Sequence, residues 1–196
     1  MTLPASYYHH SNVVELAKDL IGKTLCTKIN NKLTCGIITE TEAYAGIIDK
    51  AAHSYGGRRT KRTETMFKHG GVSYVYLCYG IHHLFNIVTN KKDVPEAILI
   101  RAIVPIKGID VILKRRGAFA LTKKLCVGPG KVSSALGINI LHNNISLTEK
   151  IIWLQDDKIM FDKNKIKSGP RIGVDYAGED AKLPYRFWIE DFFDRE

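Results

Sequence analysis

Five short segments rich in β-branched and aromatic residues limit most strongly how this chain can fold. They are residues 25–29, 34–43, 73–78, 81–89 and 97–104. Asn30-Asn31 can form a two-residue turn between the first two segments, and Gly80 permits a sharp turn between the third and the fourth. Because such turns join antiparallel neighbours, the pattern predicts two hairpins, the first with one solvent-exposed face.

Helical signals are fewer and shorter. Asn12, with Glu15 three residues later, is typical of a capping box and predicts a short helix. A second helix is predicted over residues 105–116, opened by Pro105, because proline is favoured in the first helical turn. A third is predicted after the Gly-Pro-Gly-Lys segment at 128–131.

Strands therefore outnumber helices, and residues 171–189 add two predicted strands joined by a polar turn. A chain of 196 residues can bury one substantial core but is too short for two ordinary domains. We predict an α+β fold in a single domain over residues 1–196, with a mixed or mainly antiparallel β-sheet, flanking helices and a protruding hairpin at Gly80.

The charge of the chain restricts its partners. It has 29 Lys and Arg against 20 Asp and Glu, a formal net charge of +9, which favours a polyanionic partner. The most apolar stretch, 97–104, is interrupted by Arg101 and is far shorter than the roughly twenty residues of a membrane span. Residues 1–12 do not resemble a signal peptide. We expect a protein without membrane association, cytoplasmic in a bacterium, where it would lie on the nucleoid, or nuclear in a eukaryote.

Metal and disulfide chemistry are not predicted. The four cysteines lack the close spacing of a zinc site. Cys26 and Cys35 would face each other across the Asn-Asn turn, but a reducing compartment would keep them as thiols. The histidine pairs 9–10 and 82–83 are poor metal sites, because neighbours on a strand point to opposite faces. We expect no cofactor.

The segment 39–44 contains a candidate general base. A period of two places Glu40, Glu42 and Tyr44 on one face of an extended segment, directly before a long loop over 45–71. A carboxylate beside an aromatic side chain can act as a base next to a stacking platform. Taken alone, however, two glutamates on a strand are far more typical of a solvated surface.

The long loop carries a cationic run. Arg58, Arg59, Lys61 and Arg62 are four cations in five residues, which suits contacts to phosphate as well as it suits a solvated loop. His53 lies just before them, and an isolated histidine is more often structural than catalytic.

Tyrosines are concentrated in the second predicted hairpin. Tyr74 and Tyr76 share one strand face, and the first of them is typical of a core residue. Tyr79, beside Gly80 at the turn, is instead suited to act as a wedge between base pairs.

Together these blocks resemble the methylpurine (alkyladenine) DNA glycosylase family. The matching blocks span nearly the whole chain in order: 42–44 (EAY), 52–54 (AHS), 66–67 (MF), 74–76 (YVY), 79–80 (YG), 82–86 (HHLFN), 101–102 (RA), 171–174 (RIGV) and 184–187 (PYRF). The resemblance implies a base-excision repair enzyme, without cofactor and monomeric, that acts on double-stranded DNA containing damaged purines. It would flip an alkylated or deaminated purine such as 3-methyladenine out of the duplex and hydrolyse its N-glycosidic bond, leaving an abasic site.

The resemblance also implies roles for single residues. Glu42 would activate the attacking water, with Arg101 helping to hold that water. The flipped base would lie between two aromatic rings and be selected at its edge. The implied base-pocket residues are Tyr44, His53, Tyr76 and Asn86, and the last of these would exclude guanine by crowding its exocyclic amine. Tyr79 would be the wedge that enters from the minor groove.

The chain departs from the family pattern at two places. Arg62-Thr63 stands where the family usually has an arginine-asparagine pair, and His69-Gly70 stands where a proline usually precedes the glycine. Both places lie in the loop and turn, outside the implied pocket.

Two other functions fit parts of the sequence. A glycosylase that also cuts the strand would need a Schiff-base lysine, but neither Lys131 nor Lys50 has a context that marks a lowered pKa. A non-catalytic single-stranded nucleic-acid-binding module could use Tyr74 and Tyr76 as a stacking platform. That function leaves Glu42 without a role.

Overall fold

A computed structural model describes residues 1–159 and 161–190, in which eight strands and three α-helices follow one another along the chain. The strands are β1 (Thr24–Ile29), β2 (Lys32–Tyr44), β3 (Ser73–Cys78), β4 (His82–Thr89), β5 (Glu96–Lys107), β6 (Ile152–Gln155), β7 (Lys167–Gly169) and β8 (Arg186–Trp188). The helices are α1 (Val13–Asp19), α2 (Ile109–Arg116) and α3 (Pro129–Leu136). Short 3-10 turns fill much of the remainder.

The strands form one sheet in the order β3-β4-β5-β2-β1-β6, and β8 pairs with both β2 and β7. Every strand pair in the described part of the chain is antiparallel. The predicted α+β fold with a mainly antiparallel sheet is therefore confirmed.

Both predicted hairpins form. Asn30 and Asn31 have positive φ angles of 51° and 58°, which suit the two-residue turn between β1 and β2. The turn places Cys26 directly opposite Cys35, at a Cα–Cα distance of 4.2 Å. The structure joins these cysteines as a disulfide, whereas we expect two thiols from the sequence.

The first hairpin does not have the predicted solvent-exposed face. Strand β2 is buried without interruption from Thr34 to Ala43. The reason is that β2 has partners along both edges: β5 lies along one, while β1 and then β8 share the other. Glu40 and Glu42 are consequently buried residues of a central strand.

The second predicted helix begins later than expected. Pro105 lies within β5, opposite Gly36, next to an irregularity in the β2–β5 register. Proline is tolerated at such a bulge because its missing N–H does not interrupt a regular ladder. The helix α2 begins at Ile109, after Gly108, whose φ of 69° and close approach to the Leu33 carbonyl both require glycine.

The C-terminal segment also differs from its prediction. The first strand, β7, precedes residue 171, and a 3-10 segment over Asp175–Lys182 lies between Arg171 and β8. Only β8 lies where a strand is predicted.

The main apolar core involves α1 and α3 and includes the inward side chains of the central strands. Asn12 caps α1, since its side-chain oxygen accepts hydrogen bonds from the Val14 and Glu15 amides. A smaller cluster forms where the 3-10 turn Glu64–Phe67 packs Met66 and Phe67 against the sheet.

Candidate active site

The sheet brings distant parts of the sequence into one row. Tyr74 pairs with Asn86, Asn86 with Leu99, Leu99 with Glu42, and Glu42 with Arg186, across strands β3, β4, β5, β2 and β8. Paired residues in adjacent strands are nearest neighbours, so this row fixes the relative positions of the predicted base and pocket residues on rigid elements.

A bulge directs Arg101 towards the two glutamates. Glu40 pairs with Ala102 and Thr41 pairs with Ile100, which leaves Arg101 as an extra residue on β5 without a partner on β2. Bulges redirect side chains and are frequent next to active sites. The Arg101 Nε donates to Glu40 at 3.2 Å, and its Nη1 donates to Glu42 at 3.3 Å.

The Glu42 carboxylate is fully buried and held by three donors. Its Oε1 accepts a hydrogen bond from the Ile172 amide at 2.7 Å. Its Oε2 accepts from the Tyr44 hydroxyl at 2.9 Å and from Arg101. Burial raises the pKa of Glu42 above its ordinary value, although Arg101, the Ile172 amide and the Tyr44 hydroxyl act in the opposite direction.

A cavity of about 680 Å³ lies next to the residues that hold this carboxylate, while Glu42 itself is buried behind the cavity wall and is not part of the lining. Its lining includes Tyr44, Arg101 and Ile172, the residues that contact Glu42, and continues through Tyr76 and His53. The volume suits a ligand the size of a nucleoside, and aromatic side chains suit a flat base. The structure thus brings Arg101 and the predicted stacking tyrosines together at one cavity, and it bonds the predicted base to two of these lining residues, Tyr44 and Arg101.

His53 is held at the cavity wall in a neutral state. Its Nδ1 is 2.9 Å from the Tyr74 hydroxyl, and its ring lies edge-on to Tyr76 with centroids 4.7 Å apart. Burial, together with the smaller effect of the nearby Arg62 and Arg58 charges, lowers the pKa of His53 to about 4. At neutral pH the imidazole is therefore uncharged and has one N–H and one acceptor nitrogen.

Asn86 lies in the cavity lining and is nearly inaccessible to solvent. Its Nδ2 donates to the Tyr74 carbonyl at 3.1 Å, which fixes the orientation of the amide. A side chain held in this way is suited to select a ligand by shape, because it cannot move aside without losing that bond.

The second hairpin protrudes and carries Tyr79 at its tip. Cys78 pairs with His82, so Tyr79, Gly80 and Ile81 form the loop. Tyr79 has a φ of 50° and is 91% exposed. Positive φ is unfavourable for a residue with a Cβ, and no burial of the ring compensates for it. Its hairpin also lines the cavity, which places the exposed ring at the cavity entrance.

The four loop cations do not have the same surroundings. Arg59 donates to Glu64 through two nitrogens, at 2.9 and 2.7 Å, and to Asp93 at 2.9 Å. Arg58 and Lys61 are exposed, and no ion pair with a carboxylate is found for either within the described residues.

Arg62 lies over the Tyr76 ring, 4.8 Å from its centroid, and lines the cavity. The neighbouring Thr63 stands where the family usually has an asparagine, and its hydroxyl stabilises the loop. Its hydroxyl accepts a hydrogen bond from the Thr60 amide and donates to the Arg58 carbonyl.

Three features of the site were missed by the sequence analysis. The Ile172 amide is a backbone donor, so no residue type in the sequence predicts its role. Residues 128–131, from which only a following helix is predicted, also form part of the cavity wall. The ion pair between Arg171 and Asp49 is buried beside Tyr44. An arginine within an otherwise apolar stretch at 171–174 was the available signal for the last of these.

None of the helices within residues 1–159 and 161–190 has both the length and the apolar character needed to cross a membrane. The same part of the chain contains no group of three or more His, Cys, Asp or Glu side chains that could hold a metal ion.

Most of the chain matches a known family. The model of the methylpurine-DNA glycosylase family matches residues 6–192. A protein of Chlamydia felis is 47% identical over 188 residues, which cover 95% of this chain and 95% of the relative. A protein of Chlamydia abortus is 45% identical, covering 95% and 97% of the two chains, and one of Bacillus cereus is 43% identical, covering 97% and 96%. All three are provisionally named 3-methyladenine DNA glycosylases. This chain belongs to the methylpurine-DNA glycosylase family.

Proposed function

We propose that this protein takes an alkylated purine nucleotide out of duplex DNA and hydrolyses its N-glycosidic bond with a water activated by Glu42. Family membership makes the chain a monofunctional DNA glycosylase that acts in DNA repair. The observation that carries the finer proposal is the buried Glu42 carboxylate, held behind an aromatic cavity by Tyr44, Arg101 and the Ile172 amide.

Extrusion of the base follows from the depth of the site. A base inside a duplex cannot bring its glycosidic bond to a carboxylate with no exposed surface, so the nucleotide has to leave the stack at a cost of a few kcal/mol. Stacking on Tyr44 and Tyr76 offsets this cost, at about 1 to 3 kcal/mol for each base–aromatic contact. A purine methylated at N3 or N7 is cationic, which strengthens its attraction to an electron-rich ring.

Glu42 and the cavity residues divide the chemistry between them. The ionised Glu42 accepts a proton as the water oxygen bonds to the anomeric carbon, and it stabilises the positive character of the sugar. The electron pair of the broken C–N bond leaves with the purine, which a prior positive charge makes a good leaving group. Arg101, linked to both Glu40 and Glu42, holds the carboxylate in place and can orient the water.

Selection of the base is assigned to Asn86 and His53. The fixed Asn86 amide would crowd the exocyclic amine of guanine, and the neutral His53 would offer one hydrogen-bonding nitrogen to the base edge. The alternative of a non-catalytic stacking platform is not favoured, because Tyr74 is only 2% exposed and is bonded to His53.

Incubation with methylated duplex DNA tests the proposal. Chromatography of the released material should show free methylated purine, and the DNA should contain abasic sites without strand cleavage. Borohydride added during the reaction should not trap a protein–DNA adduct, since no lysine takes part. DNA binding without release of free base would contradict the proposal.

The cationic loop gives a prediction about salt. We expect the duplex affinity of the Arg58→Gln/Lys61→Gln double variant to depend less on salt, with a log–log slope flatter by about two units, because each phosphate contact contributes about 0.9. Arg59→Gln is the matched control, because Glu64 and Asp93 already neutralise Arg59, and its slope should change little. The measurement is the affinity of the wild type and both variants for duplex DNA over a series from low to moderate salt. An unchanged slope in the double variant would make this run a solvated loop.

The hairpin tip gives a second prediction. We expect Tyr79→Ser to slow base release most for a lesion in a stable, fully paired duplex and least where a mismatch has weakened stacking, because a wedge raises the population of the extruded state. Single-turnover rates on the same lesion in both contexts provide the measurement. Ile81→Ser, at the same exposed tip, is the control for loss of apolar surface. Equal losses for Tyr79→Ser in the two contexts would show that Tyr79 is not a wedge.

A further inference from the structure

The Ile172 amide donates the shortest hydrogen bond to Glu42, so its placement determines how that carboxylate is held. Ile172 lies outside the regular strands, between β7 and the 3-10 segment Asp175–Lys182, and its side chain is half exposed. A backbone amide in a connecting segment needs an anchor to hold a fixed position. The anchor on this chain is the preceding residue, Arg171.

Arg171 is buried and donates four hydrogen bonds. Its Nη1 donates to the Ala43 carbonyl at 2.9 Å and to the Asp49 carboxylate. Its Nη2 donates to the other Asp49 oxygen at 2.8 Å and to the Asp180 carbonyl at 3.1 Å. The guanidinium also lies over the rings of Tyr44 and Tyr185, at 4.9 and 5.3 Å from their centroids. Arg171 therefore connects the end of β2 with the segment that carries the Ile172 amide.

Asp49 completes the connection on the other side. Besides Arg171, its carboxylate accepts hydrogen bonds from the Ala45 amide at 3.0 Å and the Ala51 amide at 2.9 Å. These residues bracket the turn that follows Tyr44 and leads to His53. The ion pair thus links three parts of the cavity: the Tyr44 ring, the start of the long loop and the donor to Glu42.

We propose that Arg171 and Asp49 are positioning residues for the glycosylase reaction: as a buried ion pair they fix the Ile172 amide and the Tyr44 ring against Glu42. The inference rests on the proposed function of Glu42. Arg171 and Asp49 bond to each other and to backbone groups on either side of Tyr44, so the pair acts through these neighbours.

Stability alone gives a weak reason for such a pair. Removing two charges from water costs free energy that their attraction only partly returns, so well-packed apolar residues often serve stability equally well. A planar guanidinium has what apolar residues lack, namely fixed donor directions that can serve several acceptors at once. Here those directions reach Ala43, Asp49 and Asp180, which belong to three different segments.

Arg171→Lys tests the proposal, because lysine retains the charge but has no planar fork. We expect the single-turnover rate of base release at pH 7 to fall by at least about tenfold, since small misplacements of reacting groups can cost this much. Affinity for a duplex that contains a tetrahydrofuran abasic-site analogue should stay within about twofold. Arg115→Lys is the matched control, since Arg115 also bonds a side chain and a carbonyl but lies outside the cavity lining, and it should leave the rate unchanged.

The pKa of Glu42 provides a second measurement. It would not change if Arg171 and Asp49 only stabilised the fold. The Ile172 amide lowers the pKa of Glu42, so loss of that hydrogen bond should raise the pKa further and move the acidic limb of the pH–rate profile to higher pH. A carbon-13 NMR titration of the Glu42 carboxyl, identified by its absence in Glu42→Gln, reports the same shift without any reaction.

A second variant covers the case in which Arg171→Lys does not fold. Ile172→Pro deletes the donating N–H and leaves the ion pair in place, and it should shift the Glu42 titration in the same direction. An unshifted titration in a folded variant would overturn the positioning role. Absence of base release by the wild-type protein would instead overturn the proposed function, while the titration would still test the positioning.

Discussion

Glu42→Gln should lower the rate of base release by at least about a hundredfold while leaving affinity for duplex DNA intact, because the amide retains the shape of the side chain but cannot accept the proton. The substitution also removes the negative charge that stabilises the developing charge on the sugar. Single-turnover assays separate this chemical step from binding and product release. Near-normal turnover by the folded variant would remove Glu42 from the mechanism.

The pH dependence of the wild-type enzyme provides a second test of the same role. Only the ionised carboxylate acts as a base, and burial raises the pKa of Glu42 above its ordinary value. The rate should therefore be highest above this raised pKa and fall as the pH drops through it. The limb should lie at higher pH than the titration of an exposed glutamate. Glu42→Gln should retain no such limb in its residual rate.

Glu96→Gln is the matched control for both measurements. Glu96 is a partly buried carboxyl at the start of β5, its pKa is also raised by burial, and it accepts a hydrogen bond from Asn90 at 2.9 Å. Unlike Glu42, it is not the acceptor for Tyr44, Arg101 or the Ile172 amide. Its replacement should leave both the rate and the acidic limb unchanged. A loss equal to that of Glu42→Gln would indicate a general response to the removal of a buried carboxylate.

The sequence predicts those parts of the fold that depend on neighbouring residues. Asn30-Asn31 and the turn at Gly80 produce hairpins because the conformations that these residues favour are sufficient to turn the chain. Asn12 caps α1 for the same local reason. The predicted element boundaries are wrong at Pro105 and over residues 171–189. In both places the strand partner that determines the structure is far away in sequence.

The burial of Glu42 illustrates this limit. An alternating segment with two glutamates is typical of a strand with one wet face, and within 34–44 nothing contradicts that interpretation. The strand that closes the edge, β8, lies more than 140 positions further along the chain and pairs with Glu40, Thr41 and Glu42. Periodicity carries no information about such a partner. The resemblance to a family singled out Glu42 as the candidate base, whereas the alternating pattern alone favoured an exposed position for this residue.

Backbone geometry explains two contacts to Glu42 that the sequence could not predict. Arg101 reaches Glu42 because it is the extra residue of a bulge, and the Ile172 amide reaches it because Arg171 anchors the segment. Neither a bulge nor a backbone donor has a residue pattern of its own. The pocket residues were nevertheless named from the sequence, because their side chains carry the family motifs.

Tyr44→Ala should slow base release by about 5- to 150-fold, the kinetic equivalent of losing one base–aromatic contact worth 1 to 3 kcal/mol. Tyr44 has a second role, because its hydroxyl donates to Glu42 at 2.9 Å and thereby lowers the pKa of that carboxyl. The alanine variant removes both the ring and the donor. Its acidic limb should therefore move to higher pH in addition to the loss of rate.

Two further variants separate the ring from its hydroxyl. Tyr44→Phe retains the stacking surface and loses only the donor, so its rate should approach the wild-type rate at high pH and fall below it as the pH drops, with the limb displaced upward. Tyr76→Ala loses a stacking ring that makes no hydrogen bond to Glu42, so it should lower the rate at every pH without moving the limb. Single-turnover rates of the three variants across one pH series distinguish the two roles. If Tyr44→Phe and Tyr76→Ala gave superimposable profiles, the hydroxyl would have no part in setting the ionisation of Glu42, and Tyr44 would act through its ring alone.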